Sequence, residues 1–231
     1  MKRSEINNII KESINLLNEN KFKLPPFAYW SPKDWETKGS EYDEIRDNNL
    51  GWDITDYGFG DFKNKGLVLF TIRNGNPKND KYTKTYAEKI MIVGEGQVTP
   101  YHFHWHKMED IINRGGGNLM IRLYNSNEDG SELLDTPVIV NSDGREYEVP
   151  AGGIVRLMPG ESITLHTGQY HSFWGEEGTG TVIVGEVSQV NDDASDNRFF
   201  EKVGRFPTIE EDVEPEFYLC NEYPRPRGES N

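Results

Sequence analysis

Between residues 66 and 188 the sequence alternates short apolar runs with turn residues. Runs such as GLVLFTIR (66–73) and TVIVGEVS (181–188) carry the β-branched residues that favour strands. Glycine, proline, asparagine and aspartate separate the runs, and Ser142-Asp143-Gly144 is a hairpin signal. Many short strands with frequent turns predict an antiparallel sandwich or barrel, so we expect a mainly β chain.

The two ends of the chain have a different pattern. Residues 4–20 place apolar side chains at i, i+3 and i+4 spacing, which predicts a helix with one apolar face. Short helical candidates follow, and residues 51–65 are predicted to form an ordered loop because they are rich in Gly, Asp and aromatics. We therefore expect an N-terminal helical and loop extension packed on the barrel (1–65), the barrel (66–190), and a C-terminal segment packed on the barrel or on a dimer partner (191–231).

Three of the five histidines lie in one stretch, GQVTPYHFHWHKMEDIINRGG (96–116). Side chains alternate faces along a strand, so His102 and His104 are expected to point the same way. Glu109 follows five residues after His104, which leaves enough chain to turn and offer a carboxylate from the next strand. Two imidazoles and a carboxylate with open positions suit a catalytic divalent metal such as Mn, Fe, Co, Ni or Zn.

The spacing of this stretch resembles the first motif of the cupin superfamily without a gap. The matching positions, separated by five, one, four and six residues, are Gly96, His102, His104, Glu109 and Gly116. The resemblance implies a jelly-roll antiparallel β-barrel. If His104 and His106 were instead the histidine pair of this motif, only two residues would separate His106 from Glu109, where the motif has four. His106 is therefore expected beside the site or at the surface.

A second cupin motif ends in a glycine, two residues and a histidine that is the fourth metal ligand. Gly168-Gln169-Tyr170-His171 matches this ending, and Gly160 matches the glycine that opens the motif. His166 replaces the family's proline and Gly175 replaces its asparagine. Neither departure touches a ligand, and His166 is not expected to be one.

Longer runs are similar to one family of cupins, the D-lyxose isomerases. The runs, between about residues 20 and 205, are LPPFAYW, LGWDITDYGFGDF, LFTIRNG, YAEKIM, TPYHFHWHKMEDIINRGGGNL, PGESITL, FWGEEG and GEVSQVNDDASDNRFF. The resemblance implies isomerisation of a free monosaccharide, D-lyxose to D-xylulose, with D-mannose to D-fructose as a second reaction. It also implies a divalent metal, most often Mn²⁺, a homodimer, and His102, His104, Glu109 and His171 as ligands.

Aldose–ketose isomerisation moves a proton from C2 to C1, so such a site needs a general acid–base. Glu201 is the first candidate, because it follows a polar loop and the segment Arg198-Phe199-Phe200, which could close over the barrel. Glu186 competes, because it lies in an apolar strand where an inward carboxylate would have a raised pKa. Each could equally be a solvated carboxylate, and the sequence leaves this choice open.

Two lysines and two aspartates are further candidates for the site. Lys89 lies in the middle of a strand beside an apolar run, and Lys107 lies next to the histidines; either could bind sugar oxygens or donate protons to them. A solvated surface position is the simpler interpretation for Lys107. Asp192 and Asp193 are weaker candidates, since an Asp-rich loop is usually solvated.

Charge and composition exclude several kinds of partner. The formal net charge of -14, from 39 acidic and 25 basic residues, argues against nucleic acid or an anionic membrane surface. The single cysteine, Cys220, suits a reducing compartment. The N-terminus lacks an apolar signal-peptide core and no run is long enough to span a bilayer. We expect a cytoplasmic protein.

A cupin metal site alone does not determine the reaction. An iron-dependent cupin dioxygenase would need a largely apolar substrate pocket, and the polar residues near the motif argue against it. A non-catalytic sugar-binding cupin would not need four intact ligands. The isomerase is the favoured hypothesis, and these two are its alternatives.

Overall fold

The computed structural model describes residues 1–190, 192, 195–204 and 206–225. Its N-terminal part holds the helices α1 (Arg3–Glu19), α2 (Pro32–Trp35) and α3 (Asp43–Asp47). Single 3₁₀ turns lie at Pro26–Tyr29 and Ser40–Tyr42. The predicted N-terminal helix is therefore confirmed.

The described residues after α3 are mainly strands. In chain order they are β1 Gly51–Thr55, β2 Leu67–Arg73, β3 Tyr86–Val93, β4 Thr99–His104, β5 Glu109–Gly116, β6 Leu119–Ser126, β7 Leu133–Leu134, β8 Val138–Ser142, β9 Arg145–Val149, β10 Ile154–Leu157, β11 Ser162–Leu165, β12 Gln169–Gly175, β13 Val182–Gln189 and β14 Asn197–Phe199. The predicted hairpin is confirmed as β8 and β9, with Asp143 and Gly144 both at positive φ (49° and 78°), as a two-residue hairpin turn requires.

The strands form two antiparallel sheets. The larger has the order β1-β2-β3-β13-β5-β11-β8-β9, and the smaller has the order β10-β6-β12-β4-β14, with β7 paired to β6. Residues alternate between the faces, so β6 turns Leu119, Ile121 and Leu123 inward, where they are fully buried. These side chains pack with Val182 and Val184 of β13 in the core between the sheets. The result is the predicted jelly-roll barrel with an N-terminal helical extension.

Helix α1 covers the outer face of the larger sheet. Its apolar stripe, which includes Ile6 and Ile10, packs with Ile54, Phe70 and Ile183 in a second buried cluster. Amphipathic helices gain most of their stability from such burial rather than from intrinsic propensity. The extension is thereby attached to the barrel.

The prediction of a loop over residues 51–65 is wrong at its start. Gly51–Thr55 forms strand β1, paired along its whole length with β2. Trp52 and Ile54 belong to the cluster under α1, whereas Asp53 and Thr55 line cavities on the other face. The strand is hard to recognise from the sequence because its inward positions are polar.

The division of the chain at residues 65 and 190 stays a prediction. Two strands outside the central range, β1 and β14, are hydrogen-bonded to the barrel strands β2 and β4. Among the described helices, none has the length and apolarity needed to cross a membrane.

The C-terminal tail returns to the start of α1 through a buried arginine. Arg3 is only 2% exposed. Its Nη2 lies 2.7 Å from Glu211 Oε1, and its Nη1 lies 3.1 Å from Glu222 Oε2. A guanidinium shared by two carboxylates joins the first helix to the last segment of the chain.

We predict that Arg3→Ala lowers the free energy of unfolding by about 2–4 kcal/mol, because it leaves Glu222 partly buried without its cation. Lys11→Ala is the matched control: it breaks an exposed ion pair with Glu216 between the same two segments, and we expect a loss below about 1 kcal/mol. Urea unfolding monitored by tryptophan fluorescence measures both. Equal losses in the two variants would contradict the role given to Arg3.

Candidate active site

Strands β4 and β12 bring three histidines together. His102 and His171 are Cα partners across the two strands, and His104 lies two residues further on the same face as His102. All three are buried, and one ring nitrogen from each lies within 4.8 Å of the others. The His102 and His171 ring centroids are 4.1 Å apart.

Backbone carbonyls orient two of the rings. His102 Nδ1 lies 2.9 Å from Pro100 O, and His171 Nδ1 lies 3.1 Å from Gln169 O. A ring nitrogen facing a carbonyl carries the proton, which leaves Nε2 of each ring as a lone-pair donor. His171 Nε2 is buried and has no hydrogen-bond partner among the described residues, which is costly unless a ligand occupies the position.

Glu109 brings a carboxylate to the same point from the start of β5. Its Oε1 lies 3.2 Å from His104 Nε2 and 3.4 Å from His171 Nε2. Its Oε2 lies 2.7 Å from Lys107 Nζ. Burial raises the pKa of Glu109, but Lys107 and the neighbouring histidines outweigh burial and hold the pKa well below its usual range.

The protonation states of these groups suit a divalent metal ion. Burial is the main cause that lowers the pKa of His102 well below its usual value and the pKa of His171 to about 4. Neutral imidazoles and an ionised carboxylate are the forms that bind metals. His102, His171 and Glu109 therefore fit such an ion, and His104 lies close enough to join them, although the donor set alone accepts several metals.

Lys107 links this cluster to a second buried carboxylate. Its Nζ lies 2.8 Å from Glu186 Oε1 as well as 2.7 Å from Glu109 Oε2. Lys89 Nζ lies 3.4 Å from the same Glu186 oxygen, and Ser188 donates a hydrogen bond of 3.0 Å to it. Buried charges persist only when paired, and this network pairs them.

These groups line one cavity of about 280 Å³ between the sheets. Its polar wall includes His102, His104, Glu109, Lys107, Glu186 and Lys89. Its apolar wall includes Leu67, Met91, Phe173 and Phe199. A cavity of this volume, with ionisable groups on one side, can bind a small polar ligand.

A short strand near the C-terminus covers the histidine cluster. In β14, Asn197 and Phe199 are Cα partners of His104 and His102, and the Phe199 ring stacks on His102 at 5.2 Å. Just before β14, the buried Asp196 accepts hydrogen bonds from the backbone amides of His106 (2.9 Å) and Lys107 (3.2 Å). This contact holds the loop that presents Lys107.

The sequence reasoning missed both Asp196 and Ser188. Asp196 lies in an Asp-rich loop, where nothing local separates a structural carboxylate from a solvated one. For Ser188 the available signal was strand alternation, since a residue two places from an inward Glu186 shares its face. That signal becomes useful only once Glu186 is known to point inward.

The predicted acid–base candidates lie in different places. Glu186, Lys89 and Lys107 line the cavity. Glu201 lies outside the cavity lining with a side chain 62% exposed, and its carboxylate is 3.8 Å from Lys65 Nζ. The chain has already left β14 at this point, so the structure does not bring Glu201 to the other groups.

The remaining candidates lie apart from the metal cluster. His106 and His166 are exposed, and His166 Nε2 is 2.9 Å from Asn141 Oδ1. Asp192 forms an ion pair with Lys78. Asp193 lies outside the described residues.

Comparison with known proteins gives consistent matches over nearly the whole chain. A family model described as D-lyxose isomerase matches residues 1–223. The D-lyxose/D-mannose isomerase of Serratia proteamaculans is 52% identical over 227 residues, which are 97% of this chain and 99% of that protein. The D-lyxose/D-mannose isomerase of Escherichia coli O157:H7 is 49% identical over 224 residues, or 96% and 98%.

Solved structures show the same fold at low sequence identity. The L-ribose isomerase of Acinetobacter sp. DL28 in complex with L-ribose is 17% identical, with a TM-score of 0.61, and the match covers 91% of this chain and 98% of that one. The L-ribose isomerase of Cellulomonas parahominis with L-ribose is 19% identical, with a TM-score of 0.58 and the same coverage. At this identity the likeness extends to the fold alone.

We predict that His171→Ala lowers the affinity for divalent metal by at least about 100-fold, because it removes a buried ligand nitrogen. His166→Ala, which changes an exposed histidine outside the cluster, is expected to bind metal as the unaltered protein does. Calorimetric titration of the chelator-treated proteins with Mn²⁺ measures both. Undiminished binding by His171→Ala would contradict the proposed ligand set.

Proposed function

The chain belongs to the D-lyxose isomerase family, and we propose that it is a metal-dependent isomerase that converts free D-lyxose to D-xylulose, and D-mannose to D-fructose as a second reaction. One observation carries the proposal. A buried carboxylate, Glu186, lies in the same cavity as the metal-ligating cluster and is joined to it through Lys107. That arrangement provides the two groups that the proposed isomerisation requires, a bound metal that acts as a Lewis acid and a general acid–base.

His102, His104, Glu109 and His171 would hold the divalent ion. When bound, the ion acts as a Lewis acid that stabilises the negative charge developing on the sugar oxygens. We propose Mn²⁺, from the family resemblance, with Co²⁺, Fe²⁺, Ni²⁺ or Zn²⁺ as alternatives, since imidazole and carboxylate ligands accept all of them.

Glu186 is proposed as the group that moves the carbon-bound proton. In the aldose the C2–H bond breaks and the proton goes to the carboxylate, while the electron pair forms the C1–C2 double bond of an enediolate. Glu186 then returns the proton to C1, which leaves the carbonyl at C2. A general acid–base placed in this way contributes about 10²–10⁴ in rate.

The oxygen-bound proton must move from O2 to O1 in the same reaction. Lys107 and Lys89 are proposed for this step, because both ammonium groups line the cavity and can donate to a sugar oxygen. Their positive charges also offset the charge of Glu186 in the buried cavity. The exposed position of Glu201 favours Glu186 over it.

We also propose a homodimer, from the family resemblance, and a cytoplasmic location, since Cys220 is the only cysteine. The iron-dependent dioxygenase and the non-catalytic sugar binder remain alternatives. The array of Glu186 and two lysines beside the cluster is an acid–base system that neither alternative needs.

Ketose formation from a panel of free aldoses tests the function. With chelator-treated protein we expect no D-xylulose from D-lyxose until Mn²⁺ is restored. Glu186→Gln is expected to lower kcat by about 10²–10⁴-fold, because it removes the proton acceptor and keeps the shape. Glu201→Gln is the matched control, with kcat expected within about twofold of the unaltered protein because its side chain is 62% exposed and outside the cavity.

Failure to form a ketose from any aldose, with metal bound, would contradict the isomerase. Oxygen consumption by the iron-loaded protein would then indicate the dioxygenase, and sugar binding without turnover would indicate the binding module. A large loss in Glu201→Gln with full activity in Glu186→Gln would reverse the assignment of the base.

A further inference from the structure

We propose that Ser188 is a positioning residue for Glu186, and that it helps to reserve one oxygen of the Glu186 carboxylate, Oε2, for proton transfer. The inference rests on the proposed isomerase function. It concerns a residue outside the two cupin motifs, and it assigns proton transfer to one of the two oxygens of Glu186.

The nearest polar contacts that the described residues make to the Glu186 carboxylate converge on one oxygen. Lys107 Nζ lies 2.8 Å from Oε1, Ser188 Oγ lies 3.0 Å from it, and Lys89 Nζ lies 3.4 Å from it. Among the described residues, the hydrogen bonds to this carboxylate go to Oε1 and none goes to Oε2, and Glu186 lines the cavity. Oε2 is therefore the oxygen that can accept a proton from a bound sugar.

Lys107 gives the two carboxylates of the site complementary orientations. It contacts Oε2 of Glu109, so that Oε1 of Glu109 faces His104 and His171. It contacts Oε1 of Glu186, so that Oε2 of Glu186 is left for the substrate. One oxygen of each carboxylate holds the network together, and the other is available for metal binding or for proton transfer.

Ser188 is the most rigid of the three donors to Glu186. It lies two residues after Glu186 on β13, so both side chains share the inward face, and the intervening Val187 is exposed. Both neighbouring strands hold its backbone, through Ala87 on one side and Glu109 on the other. A short side chain with one rotatable bond on a central strand is a fixed point, whereas a lysine reaches Glu186 through a flexible four-carbon stem.

Loss of the Ser188 hydroxyl should therefore make the orientation of the Glu186 carboxylate less well defined, with little effect on sugar binding. The terminal torsion of a glutamate is broad, so the two lysines alone allow the carboxylate plane to swing. Proton transfer requires an oxygen held close to the reacting carbon, and small misplacements are costly in rate. Sugar binding depends on the rest of the cavity and should change little.

The test compares three serine variants of the metal-loaded protein, with D-lyxose and with D-lyxose deuterated at C2. We expect Ser188→Ala to lower kcat by about tenfold, to leave KM within about twofold, and to show a primary isotope effect on kcat. Ser188→Thr retains a hydroxyl and suits a strand, and should restore kcat to within about threefold. Ser13→Ala is the matched control: Ser13 is also buried, but it bonds Ile9 O within α1, and its kcat should be unchanged.

The proposal would be overturned if kcat of Ser188→Ala were unchanged, if the effect appeared in KM instead of kcat, or if kcat fell without a primary isotope effect. If Ser188→Ala does not fold, Ser188→Cys replaces the hydroxyl by a weak donor and carries the same expectation. Absence of turnover by the unaltered protein with metal bound would instead contradict the isomerase, and this inference with it. The two failures are thus told apart by the unaltered protein.

Discussion

The site depends on the Lys107 ammonium between two buried carboxylates. Glu109 and Glu186 are nearly inaccessible to water, and two negative charges in such a place would be strongly destabilising without a cation. Lys107 lies within 2.8 Å of both. It therefore allows the carboxylate proposed to bind the metal and the carboxylate proposed to transfer the proton to coexist in one cavity, and the proposed chemistry follows from that coexistence.

The position of Lys107 is itself set from a distance. Asp196, 90 residues away from His106 in sequence, accepts the backbone amides of His106 and Lys107, and so holds the loop between β4 and β5. The following strand β14 then pairs with β4 over the histidines. Segments outside the central barrel thus complete the site.

The cluster of His102, His104 and Glu109 could be predicted from the sequence because its geometry is largely local. Two histidines on alternate positions of one strand share a face in any sheet, and the spacing to Glu109 is that of a known motif. The choice between Glu186 and Glu201 could not be made in this way. Strand alternation leaves two possible faces for Glu186, and only packing of the two sheets decides which of them is inside.

The same limit explains the missed strand β1. Its inward residues Asp53 and Thr55 are polar because they face cavities rather than the apolar core, so the usual alternation between apolar and polar residues gave no signal of burial. Polar residues at inward positions are the general mark of a functional cavity inside a β-barrel. Such polar residues interrupt the alternation by which a strand is recognised in the sequence, and they do so where a cavity needs polar side chains.

Strand register brings the residues of the proposed catalytic arrangement together. On the larger sheet, Lys89 of β3 is the Cα partner of Glu186 of β13, and Ser188 of β13 is the partner of Glu109 of β5. A slip of one residue between these strands would turn a whole set of side chains to the other face. The α1 helix and the apolar residues beneath it hold the outer face of β3 and β13, so the helical extension helps to maintain the register on which the inner polar face depends.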